Sequence, residues 1–117
     1  MIQLRKTAVW GAAIVLAVAF VAVGVSKLAG ASAMRWSARF GGWGYPANTS
    51  YVVGVFEVIG GLGVLFPRWR RAASLTLGAL MVGALCTHLV HSEFPRVIPP
   101  LVLGTLALLL YWSQRHL

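Results

Sequence analysis

Residues 51–66 read YVVGVFEVIGGLGVLF, an apolar run broken by a single carboxylate, Glu57. The chain has only two acidic residues, and this one stands where water is scarce. A charge facing lipid at the middle of a membrane helix costs about 2.5–3.5 kcal/mol on insertion scales, so Glu57 is expected to face inward and find a partner. The run therefore predicts a membrane protein with a polar cluster buried among its helices.

Composition points the same way. Of 117 residues, 59% are hydrophobic and 10% charged, with a mean hydropathy of +0.81. A soluble domain carries about 25% charged residues, so too little polarity is left to coat a water-facing surface. The length allows one membrane domain, 1–117. The net charge of +8 does not suggest nucleic acid, because the basic residues lie between apolar runs and not in one patch.

A spanning helix needs about 20 mainly apolar residues. Four segments qualify, at about 7–28, 49–66, 72–91 and 97–112. No period-two alternation suggests a barrel, so the expected fold is an all-α transmembrane four-helix bundle. Arg5-Lys6, the apolar run and Ala31-Ser32-Ala33 imitate a cleavable leader. The run is longer than the 7–15 residues of a leader, so it reads as a retained helix. Segment 32–41 mixes Met34, Trp36 and Phe40 with Arg35 and Arg39, a composition that suits a short helix in the interface. Asn48 or Ser50 is placed to cap the second spanning helix.

Basic residues set the expected orientation. Four crossings put both termini on one side, which carries Arg5, Lys6, Arg68, Arg70, Arg71 and Arg115. The other side carries Arg35, Arg39 and Arg96, with Lys27 at its border. The bias predicts cytoplasmic termini.

Helical spacing aligns Ser50, Gly54, Glu57, Gly61 and Val64 on one face. Phe20, Val23, Gly24 and Lys27 align likewise on the first helix, and Ser74, Gly78, Met81, Ala84, His88 and His91 on the third. At 1.5 Å per residue, Glu57 lies about 12 Å from the non-cytoplasmic border, and Lys27 and His88 about 5 Å. Side chains lean toward their helix N-terminus, so Lys27, Glu57 and His88 are expected to converge in the non-cytoplasmic half. Two readings stay open for Lys27: pairing with Glu57, or snorkelling to the interface. His88 is either part of this cluster or a satisfied core histidine, and Glu57 either meets Lys27 or bonds a backbone carbonyl or Ser50. His91 is expected at the interface.

Several chemistries are set aside. Cys86 is the only cysteine, so no intrachain thiol pair exists. His88 and His91 share one helix and His116 falls on the opposite side, which does not suit a bis-histidine haem. A metal held by His88, His91 and Glu57 is geometrically conceivable but not the expectation, and no cofactor is expected.

The stretches VGVSKLAG (23–30), Gly44-Tyr45-Pro46, VGVFEVIGGLGVLF (53–66), Arg71-Ala72-Ala73 and MVGALCTH (81–88) resemble the DoxX-like membrane proteins. The resemblance covers 23–88. It implies a four-helix fold in the bacterial inner (plasma) membrane, with Lys27, Glu57 and His88 as the matched polar signature. The family name comes from a terminal-oxidase and thiosulfate:quinone oxidoreductase setting, and distant relatives look like assembly chaperones. The first expectation is thus a non-enzymatic scaffold subunit of a membrane redox complex, docking larger membrane partners or a second copy through bare faces such as 97–110. The alternative is a protein that binds a quinone-like or other hydrophobic ligand at Lys27, Glu57 and His88. The third is an assembly chaperone.

Overall fold

The computed structural model describes residues 2–114; Arg115 and His116, assigned to sides above, lie outside the described residues. Five helices follow one another: α1 (Ile2–Leu28), α2 (Gly30–Gly42), α3 (Thr49–Gly63), α4 (Arg70–Val90) and α5 (Ile98–Gln114), with a 3-10 turn at Phe94–Val97 before the last. Among the described residues there is no strand. The fold is an all-α bundle in which α1 packs on α3 and α4 on α5, with α3 also touching α4.

The core is a column of Leu16, Phe20, Val64, Leu77 and Leu110 with alanines between them. The outward faces are just as apolar: Ile14, Val18, Ile59, Val82, Leu101 and Leu109 are all exposed. A water-soluble bundle would carry charge there; lipid accepts such a surface. Gln3–Leu28, Arg70–Val90 and Phe94–Gln114 are long and apolar enough to cross a membrane.

The remaining bundle helix departs from expectation. Helix α3 stops at Gly63, three residues short of the predicted end, and spans 15 residues. At 1.5 Å per residue that is about 22 Å, less than the hydrocarbon thickness of about 30 Å. The chain tightens instead into 3-10-type turns, Leu65 N–H to Leu62 C=O (3.1 Å) and Phe66 N–H to Gly63 C=O (3.2 Å). Pro67 cannot extend the helix. The freed carbonyl of Val64 accepts a 2.7 Å hydrogen bond from Arg70 Nε, so the first residue of α4 closes the end of α3.

Helix α2 begins two residues earlier than predicted. Ala29 is extended (φ −132°, ψ 142°) and Gly30 takes φ +65°, a value that costs glycine little. This kink separates α2 from α1. Asn48 does occupy the N-cap position of α3, but in a left-handed conformation with no side-chain cap bond.

The basic residues and aromatics assort to two ends of the bundle. At one end Arg5 Nη2 donates to Ser113 C=O (2.8 Å), the Arg70 guanidinium lies 4.4 Å from the Trp10 ring centre, and that of Arg71 lies 5.6 Å from Tyr111. At the other end α2 and the following loop lie against the ends of α1, α3 and α4.

Candidate functional site

Two glycines decide how α1 and α3 meet. A Cβ on Gly24 would lie 2.8 Å from the Gly54 carbonyl oxygen, and one on Gly54 would lie 3.0 Å from that of Gly24. Only hydrogen atoms allow the two backbones to touch, as at other close crossings of membrane helices. Lys27 and Glu57 each stand three residues beyond their glycine. That places both side chains at the crossing, where Lys27 Nζ donates to Glu57 Oε1 at 2.8 Å. The side chains are 5% and 2% exposed. Of the two readings open for Lys27, the structure therefore shows the pair and not the snorkelled amine.

The ammonium is also covered from above. Its nitrogen lies 4.1 Å from the ring centre of Trp36 on α2, a distance at which the electron-rich face attracts a cation. Trp36 is itself fixed by a 3.0 Å hydrogen bond from Nε1 to Ser26 Oγ. The Arg39 guanidinium lies 4.8 Å from the same ring.

His88 combines the two readings left open for it. It faces the same cavity as Lys27 and Glu57, but its direct partner is Glu93, at 2.8 Å from Nδ1 to Oε1. Because a carboxylate accepts, Nδ1 carries the proton. The contact depends on how α4 ends. Ser92 is left-handed (φ 57°), Ser92 N–H bonds Leu89 C=O (3.2 Å) and Glu93 N–H bonds His88 C=O (2.8 Å). This is a Schellman ending, with serine where glycine is usual. It folds Glu93 back beside His88. His91 is exposed and its Nδ1 bonds Thr87 C=O at 2.8 Å. It belongs to the rim, its ring tilted at 42° to that of Trp43 and 6.4 Å away, and is not among the cavity-lining residues.

Glu93 ties three elements together. Besides His88 it accepts from Trp43 Nε1 (3.3 Å) after α2 and from Arg96 Nη1 (3.4 Å) in the 3-10 turn. The His88 hydrogen bond leads in holding the Glu93 carboxyl below the usual carboxylate range, against a smaller opposing effect of desolvation; Trp43 and Arg96 add to it. Trp43 packs edge-on against the His88 ring at 5.4 Å, and Tyr45 shares a short hydroxyl–hydroxyl hydrogen bond with Thr87.

Beneath this cover lies a cavity of about 560 Å³. Phe20, Val23, Val53, Leu80, Met81 and Leu103 supply apolar walls, while Lys27, Glu57, His88, Arg39 and Arg96 supply the polar ones. Both its size and its balance of many apolar to few polar groups are those of a small-molecule site, about 300–1,000 Å³. Lys27 has ammonium protons beyond the one given to Glu57, and no described hydrogen bond reaches Glu57 Oε2 or His88 Nε2. These atoms can donate to and accept from a polar head. Among the described residues, no three His, Cys, Asp or Glu side chains gather as a metal site would need.

Periodicity and depth do not single out Trp43, Tyr45, Thr87 or Glu93, which the fold brings to the site. One signal exists for the last: in a chain with two acids, each is worth following to a partner.

A family model described as the DoxX-like family matches residues 11–110. The match takes in Lys27, Arg39, Glu57, His88 and Glu93. No curated protein and no solved structure matches the chain.

Proposed function

The chain belongs to the DoxX-like family and is a small integral membrane protein; from that premise we propose that it binds a hydrophobic molecule with a polar head. The cavity among α1, α2, α3, α4 and α5 is the observation that carries the reading. Its apolar walls receive the body of the ligand, and Lys27, Glu57 and His88 contact the head. A quinone-like molecule fits this description, as do other single-headed amphiphiles. The donor and acceptor positions that these pairs leave open give a polar head its orientation.

The orientation rests on the positive bias of the loops. It puts the end holding Arg5, Arg70 and Arg71 in the cytoplasm and the cavity toward the non-cytoplasmic side of the cell membrane. The reading as a scaffold subunit of a redox complex has one support, the apolar outward face of α5 with Leu101, Val102, Leu108 and Leu109 exposed. Lipid covers such a face equally well, whereas lipid-facing packing alone does not call for a sheltered ion pair beside a cavity.

The test uses uncharged probes, a short-chain quinone and methyl stearate, added to the purified protein in mild detergent and read by native mass spectrometry. Wild type is expected to retain a one-to-one adduct with at least one of them. Ala84→Phe, which fills the cavity from α4, is expected to lose it while keeping its helix content and Tm. Equal retention by both proteins would count against the site.

A further inference from the structure

We propose that the cavity selects a single-chain amphiphile whose head carries one negative charge, held between Arg39 and Lys27. The inference rests on the ligand-binding reading above and narrows it by charge.

The argument is a charge balance. The cavity is lined by three basic side chains, Lys27, Arg39 and Arg96, and by one carboxyl side chain, Glu57. Glu57 is taken by Lys27 at 2.8 Å. Arg96 has Glu93 at 3.4 Å, and Glu93 is also bonded to His88. The chain has no third acidic side chain, so Arg39 has no carboxylate partner among the described residues. Its contact is the Trp36 ring at 4.8 Å, the ring that also faces Lys27 Nζ at 4.1 Å.

Two cations thus share one indole at the cavity, and the one carboxylate that lines it is bonded to Lys27. Like charges so placed repel, and a second anion at that point would relieve the repulsion and accept hydrogen bonds from both. Guanidinium offers a planar fork suited to carboxylate and phosphate. The volume of about 560 Å³ corresponds to a small-molecule ligand, one chain and not two, and Phe20, Val23, Val53 and Leu103 would enclose its tail. A fatty-acid carboxylate and the phosphate of a one-chain lipid both meet this requirement; the shared chemistry is one anionic group on one chain.

The experiment compares stearate, methyl stearate, a one-chain lysophosphatidate and two-chain phosphatidylglycerol on the full-length protein in detergent by native mass spectrometry. A hydrogen bond to a charged group is stronger than one between neutral groups, so stearate or lysophosphatidate should bind at least about tenfold more tightly than methyl stearate; which of the two leads identifies the head. Arg39→Gln, at an exposed position, should bring stearate and lysophosphatidate down to the level at which the same variant binds methyl stearate, while Arg39→Lys should keep most of the margin. Equal binding of stearate, lysophosphatidate and the ester by wild type overturns the charge selection and leaves the cavity standing. Binding of phosphatidylglycerol alone overturns the single-chain class. Loss of every adduct, the ester included, overturns the ligand-binding reading itself.

Discussion

Lys27 Nζ and Glu57 Oε1 meet at 2.8 Å between α1 and α3, with both side chains almost fully withdrawn from the surface. Charges in such a place repay their desolvation only to each other. Removing one partner strands the other and typically costs about 3–5 kcal/mol, while replacing both with apolar groups is often neutral. Lys27→Met alone and Glu57→Leu alone are therefore expected to destabilise the bundle by about 3 kcal/mol each, and the double variant by much less than their sum. Unfolding in mixed micelles, run as a double-mutant cycle, measures the coupling. Additive losses would show that the pair holds no energy of its own.

The pair depends on the backbone contact beside it. A Cβ on Gly24 would meet Gly54 O at 2.8 Å, whereas one on Gly11 would meet nothing within 4 Å. Overpacking a tight contact costs about 1–3 kcal/mol, and glycine inside a helix is about 0.5–1 kcal/mol worse than alanine. Gly24→Ala is expected to lower the Tm and Gly11→Ala to raise it slightly. Two substitutions of the same chemistry on one helix with opposite signs separate the close crossing from helix propensity.

The inward face of α3 is legible from residue spacing alone. Ser50, Gly54, Glu57, Gly61 and Val64 mark one side of a helix by their separations, and all five are buried. Membrane helices make such patterns plain because polar and small residues have few places to go. Spacing does not show contact between helices. Lys27 has two destinations compatible with its depth, and only the approach of Gly24 to Gly54 selects Glu57. The partner of His88 is hidden for a local reason. Glu93 lies past the helix end, and it reaches His88 because Ser92 adopts φ 57°, a conformation no periodicity announces. The cover formed by Trp36, Trp43 and Tyr45 is hidden for the opposite reason, since it joins residues far apart in the chain.

Acid should loosen that cover through Glu93. Its carboxyl is held below the usual range chiefly by the hydrogen bond from His88. The folded state therefore binds that proton less readily than the unfolded chain. The stabilisation is complete above the ordinary glutamate pKa of about 4.3 and is lost as pH falls through the lower folded value. Trp43 fluorescence should stay constant on the Glu93 account down to about pH 5 and change below about pH 4. Glu93→Gln should remove that acid transition while keeping the helix content. A transition of the same midpoint in the variant would assign it to another group.

Arg70 supplies the last test, because it performs two tasks that lysine cannot combine. Its Nε donates to Val64 C=O at 2.7 Å, and its guanidinium lies 4.4 Å from the Trp10 ring centre. The first contact satisfies a buried carbonyl at the early end of α3, and the second ties α1 to the same point. Arg70→Ala removes both and leaves the carbonyl without its donor, at a cost of about 1–3 kcal/mol. Arg70→Lys keeps the charge but loses the planar group that stacks and donates at once, so it should recover only part of the loss. Near-ultraviolet circular dichroism follows the Trp10 contact, and thermal unfolding follows the carbonyl. Full recovery of both by lysine would mean that charge near the bundle end, and not the fork, is what closes α3. Because α3 carries Glu57 on its middle turn, the Ala variant is also expected to weaken retention of methyl stearate, although Arg70 is not among the residues that line the cavity.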